Sequence, residues 1–301
     1  MKRIKKEYVG LSLLGWVLII AVLHYTSFTD EINKSQNEYR QVFQIMELIN
    51  KRIEKSKTVY PVDLRIIVIV FNRAKSMLRL LDSLNFAEYG DDSVKVEVWF
   101  DRSLDGLVDQ ITLETANSFV FKHGNYSVYT HDKHVGIYGQ WLSTWVPCID
   151  SSEIAVILED DLTVSPLFYK YLKLVHKKYD HSREINGYSL QGISIKHGGS
   201  GTSRLAVPLA NTVFLYPVLG TWGFSPNTRN WVTFLNWFSK AYANETFQPY
   251  VPGNIVTKWY KALQKQGKAG GVWSIWHIYH AWKAKEYTLY SNFEGGLHNM
   301  L

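Results

Sequence analysis

Glu159, Asp160 and Asp161 stand side by side in the stretch AVILEDDLTV, directly behind the apolar run Ala155–Leu158. Carboxylates this close repel and raise one another's pKa, so an acidic cluster joined to a buried segment calls for a compensating cation. Two other apolar runs also end in polar residues: Asn72 and Arg73 follow RIIVIVF, and Asp101 and Arg102 follow VKVEVWF. Guanidinium groups suit phosphate and clustered carboxylates suit a hard divalent metal. No G-x-G-x-x-G follows the first run and no G-x-x-x-x-G-K-[ST] occurs, so a dinucleotide-binding or P-loop site lacks its central device.

The elements that must position these residues follow from periodicity. LRIIVIVFNRAKSMLRLLDSL reads as a β-branched strand, a polar turn, then apolar positions Met77, Leu78, Leu81 and Leu84 at helical spacing. The same unit recurs as VKVEVWFDRSLDG with LVDQITLETANSF, as YSVYT with IYGQWLSTWVPCI, and as IAVILEDDLTV with PLFYKYLKLVHKKY. Strands apolar along their whole length are buried on both faces, which predicts an α/β fold with a mostly parallel central sheet and helices on both faces. Open sheets of this kind bind ligands at the carboxyl ends of their strands, where the three polar groups fall.

Composition narrows the function classes. With 301 residues, 46% of them hydrophobic, the chain can bury a full-sized core. The net charge of +6 is small, and part of it sits in Lys2, Arg3, Lys5 and Lys6, so no nucleic-acid partner is indicated. Cys148 is the single cysteine, which excludes an intramolecular disulfide and a multi-cysteine zinc site. Eleven Trp and nineteen Tyr supply aromatic surface suited to sugar stacking as well as to the core.

Residues 1–7 read as a basic cytosolic tail, 8–25 as a transmembrane anchor, 26–60 as a stem and 61–301 as the globular domain. The basic residues all precede the apolar span, which keeps the N-terminus cytosolic and makes this a single-pass type II protein. The stem carries Val42, Ile45, Met46, Ile49 and Ile53 at helical spacing, a narrow stripe suited to lying on the domain or to homodimer formation. In a eukaryotic host the domain would be lumenal, with sequons at Asn33, Asn125 and Asn244.

A basic tail, an anchor, a stem and a sheet domain whose fourth strand ends in EDD together resemble the type II membrane glycosyltransferases of GT-A fold. Within them the chain is most similar to the N-acetylglucosaminyltransferase I group. The resemblance runs from about Arg65 to the C-terminus through VIVFNRAKSMLRLLDSL, ILEDDLTVSPLFYKYL, VLGTWGFSPNTRNW and VWSIWHIYHAWKAKEYTLYSNFEGGLHN. It implies transfer of a sugar from a UDP-sugar donor, with UDP-N-acetylglucosamine the family's donor, to a glycan acceptor on glycoprotein or lipid in the Golgi or another secretory-pathway membrane. Carried over residue by residue, it makes Asp161 the ligand of Mn²⁺ (or Mg²⁺), and it puts Glu159 and Asp160 on the donor. Arg73 and Asp101 match the positions that hold the uridine.

The sequence departs from the family at the catalytic base. The family's Trp-Asp-Asp-Trp aligns with Trp273, Ser274, Ile275 and Trp276, so both carboxylates are missing. His277 is the nearest alternative proton acceptor and Glu286 the next; Trp273, Trp276 and Trp282 are candidates for sugar stacking. The missing pair leaves a second reading open, a degenerate transferase fold that binds nucleotide-sugar or glycan without turnover. A two-metal phosphoesterase would need further His or Asp ligands that the strand ends do not offer.

Overall fold

The computed structural model describes residues 62–191, 212–244 and 246–292, together with Glu47, all within the unit Ile45–Leu301. The expected anchor and the stem, apart from Glu47, lie outside the described residues. Among the described residues no helix is long and apolar enough to cross a membrane.

Four strand–helix units open the domain as expected: β1 (Leu64–Val70) with α1 (Ala74–Asn85), β2 (Val94–Phe100) with α2 (Gln110–Ser118), β3 (Gly124–Thr130) with α3 (Gly136–Ser143), and β4 (Ile154–Glu159) with α4 (Phe168–Tyr179). The remainder is β5 (Ile185–Ser189), β6 (Thr212–Tyr216), β7 (Phe224–Pro226), α5 (Thr228–Tyr242), α6 (Ile255–Lys265), a 3₁₀ turn at Ala269–Gly271, α7 (Ser274–Ala284) and β8 (Tyr287–Asn292). The eight strands among the described residues form one sheet in the order β3-β2-β1-β4-β7-β5-β8-β6. Pairings among β1–β4 and between β5 and β8 are parallel, whereas β7 and β6 run against their neighbours. Strands β1, β2, β3, β4, β5 and β8 therefore all point their carboxyl ends toward one edge.

Alternation along β1 assigns the two faces. Leu64, Ile66, Val68 and Val70 pack with Met77, Leu80, Leu81 and Leu84 of α1 and with Phe168, Leu172 and Val175 of α4. On the other face Ile67 and Ile69 join Trp141 of α3, Trp231, Phe234 and Phe238 of α5, and Ile275, Trp276 and Ile278 of α7. One face is thus mainly aliphatic and the other rich in rings. Helix starts are fixed locally: Asp109 accepts from the Thr112 N–H at 2.9 Å, and Asn254 from the Val256 N–H at 2.9 Å. Lys285, left-handed at φ 58°, ends α7 and turns the chain directly into β8.

Candidate active site

The carboxyl edge of β2, β1 and β4 brings together most of the residues singled out from the sequence. Arg73, just past β1, reaches the cluster after β4: its Nη1 lies 2.6 Å from Asp161 Oδ2 and 3.4 Å from Asp160 Oδ1. Asp161 is the outermost carboxylate, with 46% of its side chain exposed against 8% for Asp160. Asp160 is held from below by the Phe71 backbone N–H. Glu159 accepts a hydrogen bond from the Trp141 indole N–H at 3.2 Å, and Trp141 stacks on Trp273 with ring centroids 4.5 Å apart.

Among the described residues three carboxylates face one guanidinium. Burial pushes the Glu159 carboxyl up to about 7, and Asp161 and Asp160 add to the rise while the Trp141 hydrogen bond and Arg73 oppose it. Burial also raises Asp160, against the pull of Arg73 and the Phe71 N–H. The Arg73 guanidinium is held above its ordinary range, first by its hydrogen bond to Asp161 and then by Asp160.

Asp101, two strands from the triplet, is 5% exposed, and its oxygens are engaged by the chain itself. Oδ1 accepts from the N–H groups of Arg102 and Val135 at 2.8 Å, Oδ2 accepts from Gly136 at 2.9 Å, and His134 Nδ1 lies 3.1 Å from Oδ2. It thereby holds the start of α3, where Gly136 takes φ +62°, against the end of β2. Gln140, one turn into α3, donates to the carbonyls of Val70 and Trp99 at 3.0 Å each and ties the ends of β1 and β2 together. Arg102 closes the adjoining loop by donating to the carbonyls of His131 and Gly106. Sequence reasoning missed His134, Gln140 and Trp141; the signal was a polar Gln beside Trp inside an otherwise apolar helix.

His277, the expected proton acceptor, lies in the ring-rich core: it is 2% exposed, with ring centroids 4.8 Å from Phe234, 5.7 Å from Phe224 and 5.9 Å from Trp231. Burial, aided by His280, lowers its pKa to about 3, and Nδ1 has no hydrogen-bond partner. The reason is helical spacing: His277 lies one turn after Trp273 on the stripe of α7 that faces the core. Glu286 precedes β8 and therefore sits at the opposite edge of the sheet from the triplet, where burial raises it to about 7. Trp273 and Trp276 are each 3% exposed and serve the core, whereas Trp282 is 46% exposed at the far end of α7.

One other constellation has the look of chemistry. His176 Nε2 is 2.7 Å from Ser225 Oγ and its Nδ1 is 3.0 Å from Asp180 Oδ2, the arrangement of a nucleophilic triad. Ser225 is fully buried, and its hydroxyl donates to the Ala155 carbonyl, so the group fastens β7 and α4 to β4 and attacks nothing.

Whether the carboxylates suit a metal is a question of donor chemistry. Among the described residues no three His, Cys, Asp or Glu side chains converge as a ready-made cage. Hard divalent ions that act on phosphates take only one or two protein carboxylates, with phosphate and water oxygens completing the shell. An exposed Asp161 backed by two further acids fits that pattern.

Comparison with known proteins found no matching family model and no matching curated protein. Among solved structures the chain is similar to S. aureus TarS residues 1–349, with TM-score 0.40 and 14% identity over 76% of this chain and 60% of that one. It is also similar to the mannosyltransferase PcManGT from Pyrobaculum calidifontis in complex with GDP-Man and Mn²⁺, with TM-score 0.41 and 11% identity over 83% and 84% of the two chains. S. aureus TarS 1–349 in complex with UDP-GlcNAc matches at TM-score 0.33 and 18% identity over 49% of this chain and 37% of that one. Likeness at this level assigns neither an activity nor a residue role.

Proposed function

We propose that the domain transfers a sugar from a UDP-sugar, UDP-N-acetylglucosamine being the donor its resemblance implies, to a glycan acceptor on glycoprotein or lipid. The observation that carries this reading is the clustering of Glu159, Asp160 and Asp161 at the carboxyl edge of a parallel sheet, with Arg73 the one cation paired to them among the described residues. Such an edge is where α/β sheets hold ligands, and a net negative cluster with one exposed guanidinium suits a divalent ion carrying a diphosphate. In this reading Asp161 holds Mn²⁺ or Mg²⁺, and Glu159 and Asp160 face the sugar and ribose. Arg73 exchanges its carboxylate partner for a donor oxygen. Asp101 supports the uridine end chiefly by fixing the start of α3. When bound, the metal supplies Lewis-acid stabilisation of the departing diphosphate. The residues 8–25 would tether the domain as a single-pass type II protein of the Golgi or another secretory-pathway membrane.

A second reading, binding without turnover, is favoured by one specific observation. The N-terminal turn of α7, beside Trp141 and hence beside Glu159, carries Trp273, Ser274, Ile275 and Trp276 and no carboxylate, and His277 is enclosed. The two readings separate in one experiment on the full chain: calorimetric titration with UDP in Mn²⁺, followed by turnover of UDP-sugars against glycan acceptors. Transfer supports the enzyme, and tight binding without turnover supports the module. Asp161→Asn should weaken UDP binding in Mn²⁺ by about tenfold or more while shifting Tm by less than about 2 °C. Unchanged affinity would remove Asp161 from the metal site.

A further inference from the structure

The order of strand ends along the carboxyl edge is β2, β1, β4, β7, β5. Asp101 ends β2, Arg73 follows β1 and the triplet follows β4, so a donor laid along this edge has its base at β2 and β1 and its diphosphate at β4. Its sugar must then lie over the next position, β7. Adjacent strands are about 4.8 Å apart, so the edge from β2 to β7 spans about 14 Å.

Trp222 occupies that next position. Ile157 of β4 and Ser189 of β5 both pair with Phe224 of β7 in antiparallel register. Extended by two residues, these registers would set Trp222 level with Glu159 on one side and Gln191 on the other. The β5 side keeps this register: the Leu190 N–H donates to the Gly223 carbonyl at 2.8 Å, and the Trp222 N–H donates to Gln191 Oε1 at 2.8 Å.

The backbone beneath Trp222 has little freedom. A Cβ on Gly220 would come within 2.3 Å of Ser189 Oγ and 2.6 Å of Tyr290 Oη, and Gly223 sits at φ +71° against Leu190. Tyr290 further pins the segment by donating to the Val218 carbonyl at 2.9 Å. On this fixed support the Trp222 side chain is 51% exposed. Among the described residues the other exposed tryptophans are Trp259, on the outer helix α6, and Trp282, at the opposite end of α7. A large ring left in water on a rigid backbone, one strand from a carboxylate cluster, is suited to meeting the apolar face of a pyranose.

We infer that Trp222 is the platform for the sugar moiety of the donor and a determinant of which sugar is accepted. This inference rests on the nucleotide-sugar reading given above. Its test is calorimetry of the full chain in Mn²⁺ with UDP, UDP-glucose and UDP-N-acetylglucosamine. Trp222→Ala should weaken the tighter of the two UDP-sugars about five- to tenfold and leave UDP within twofold, whereas Trp222→Phe should restore most of the loss. If Trp222→Ala leaves UDP-sugar affinity unchanged, or weakens UDP as much as UDP-sugar, the platform is wrong while the nucleotide site stands. The platform is equally wrong if the wild type binds both sugars no differently from UDP and Trp222→Ala changes none of the three. A wild type that binds neither UDP nor UDP-sugar overturns the underlying reading and the platform with it.

Discussion

Two groups of acidic side chains lie toward opposite ends of the strands and differ in the cations they meet. Toward the amino ends, Glu97 and Glu153 meet Arg65 and Lys95: Arg65 contacts both acids, and Lys95 Nζ lies 2.8 Å from Glu97. At the carboxyl ends, Glu159, Asp160 and Asp161 meet, among the described residues, only Arg73. Both groups recruit indole N–H donors, Trp99 and Trp145 in the first and Trp141 in the second. Burial alone would raise Glu97, yet Arg65 and Lys95 outweigh it and hold the carboxyl below its ordinary range, whereas Glu159 rises to about 7. At similar depth, two cations reverse for Glu97 the rise that burial causes at Glu159. The balanced group fastens β1, β2 and β4 together; the other group has, among the described residues, one guanidinium for three acids.

The largest effect expected from this contrast comes from unbalancing the balanced group. Arg65→Met should cost about 3–5 kcal/mol in urea unfolding, because two buried acids lose their cation, and adding Glu97→Gln and Glu153→Gln should recover part of it. A loss below about 1 kcal/mol would mean that balance is not what stabilises this end.

A pair of isosteric changes sharpens the comparison, measured as Tm against pH in chelator-treated protein. Glu97 has a depressed folded pKa, so its contribution is present above the unfolded value and lost as pH falls through the folded one. Glu97→Gln should therefore destabilise at pH 7, by about 1–3 kcal/mol, and do less harm in acid. Glu159 has a raised folded pKa, so its contribution is present below the unfolded value and lost as pH rises through about 7. Glu159→Gln should raise Tm at pH 8 and leave it unchanged at pH 4. Shifts of the same sign at pH 8 would end the comparison.

The smallest effect concerns a third buried titratable group that belongs to neither cluster. His277 is held neutral with its folded pKa lowered to about 3, so its stabilising neutral form is fully in place above the unfolded pKa and is lost as pH falls. His277→Phe should be nearly silent at pH 7.5 and flatten the fall in Tm between pH 6 and pH 4. It should also leave UDP affinity unchanged; a specific loss of turnover without loss of Tm would reinstate a catalytic role.

How legible this was in the sequence depended on which force wrote each part. β1 to β4 and their helices announced themselves because runs such as IIVIV admit one burial pattern, and their carboxyl ends located Arg73 and the triplet. β6 and β7 were not legible: FSP is three residues long, and its place between β4 and β5 is set by long-range pairing that no local pattern encodes. Glu97 inside VKVEVWF drew no notice in the sequence, and the structure shows Arg65 and Lys95 beside it. His277 misled because its proximity in sequence to the expected base concealed a stripe, Trp273 to His277, that faces inward. Trp222 was visible only as one letter in a turn, since its register with Glu159 depends on β4 and β5 lying on either side of β7.

The strand order also has a consequence for how the chain is made. β1, β2, β3 and β4 can pair with one another once residue 179 has been synthesised, so the half of the edge that carries Arg73, Asp101 and the triplet is in place before α5 and α7 arrive to cover its ring-rich face. β5 lies between β7 and β8, and among the described residues β6 pairs only with β8, so the other half waits for β8, Tyr287–Asn292. Parallel pairing across such a sequence separation is slow, and chains emerge from the ribosome N-terminus first. A nascent chain stopped before Tyr287 would hold a formed acidic edge beside an open strand, and ribosome-bound intermediates of that length are where misassembly and chaperone capture should concentrate.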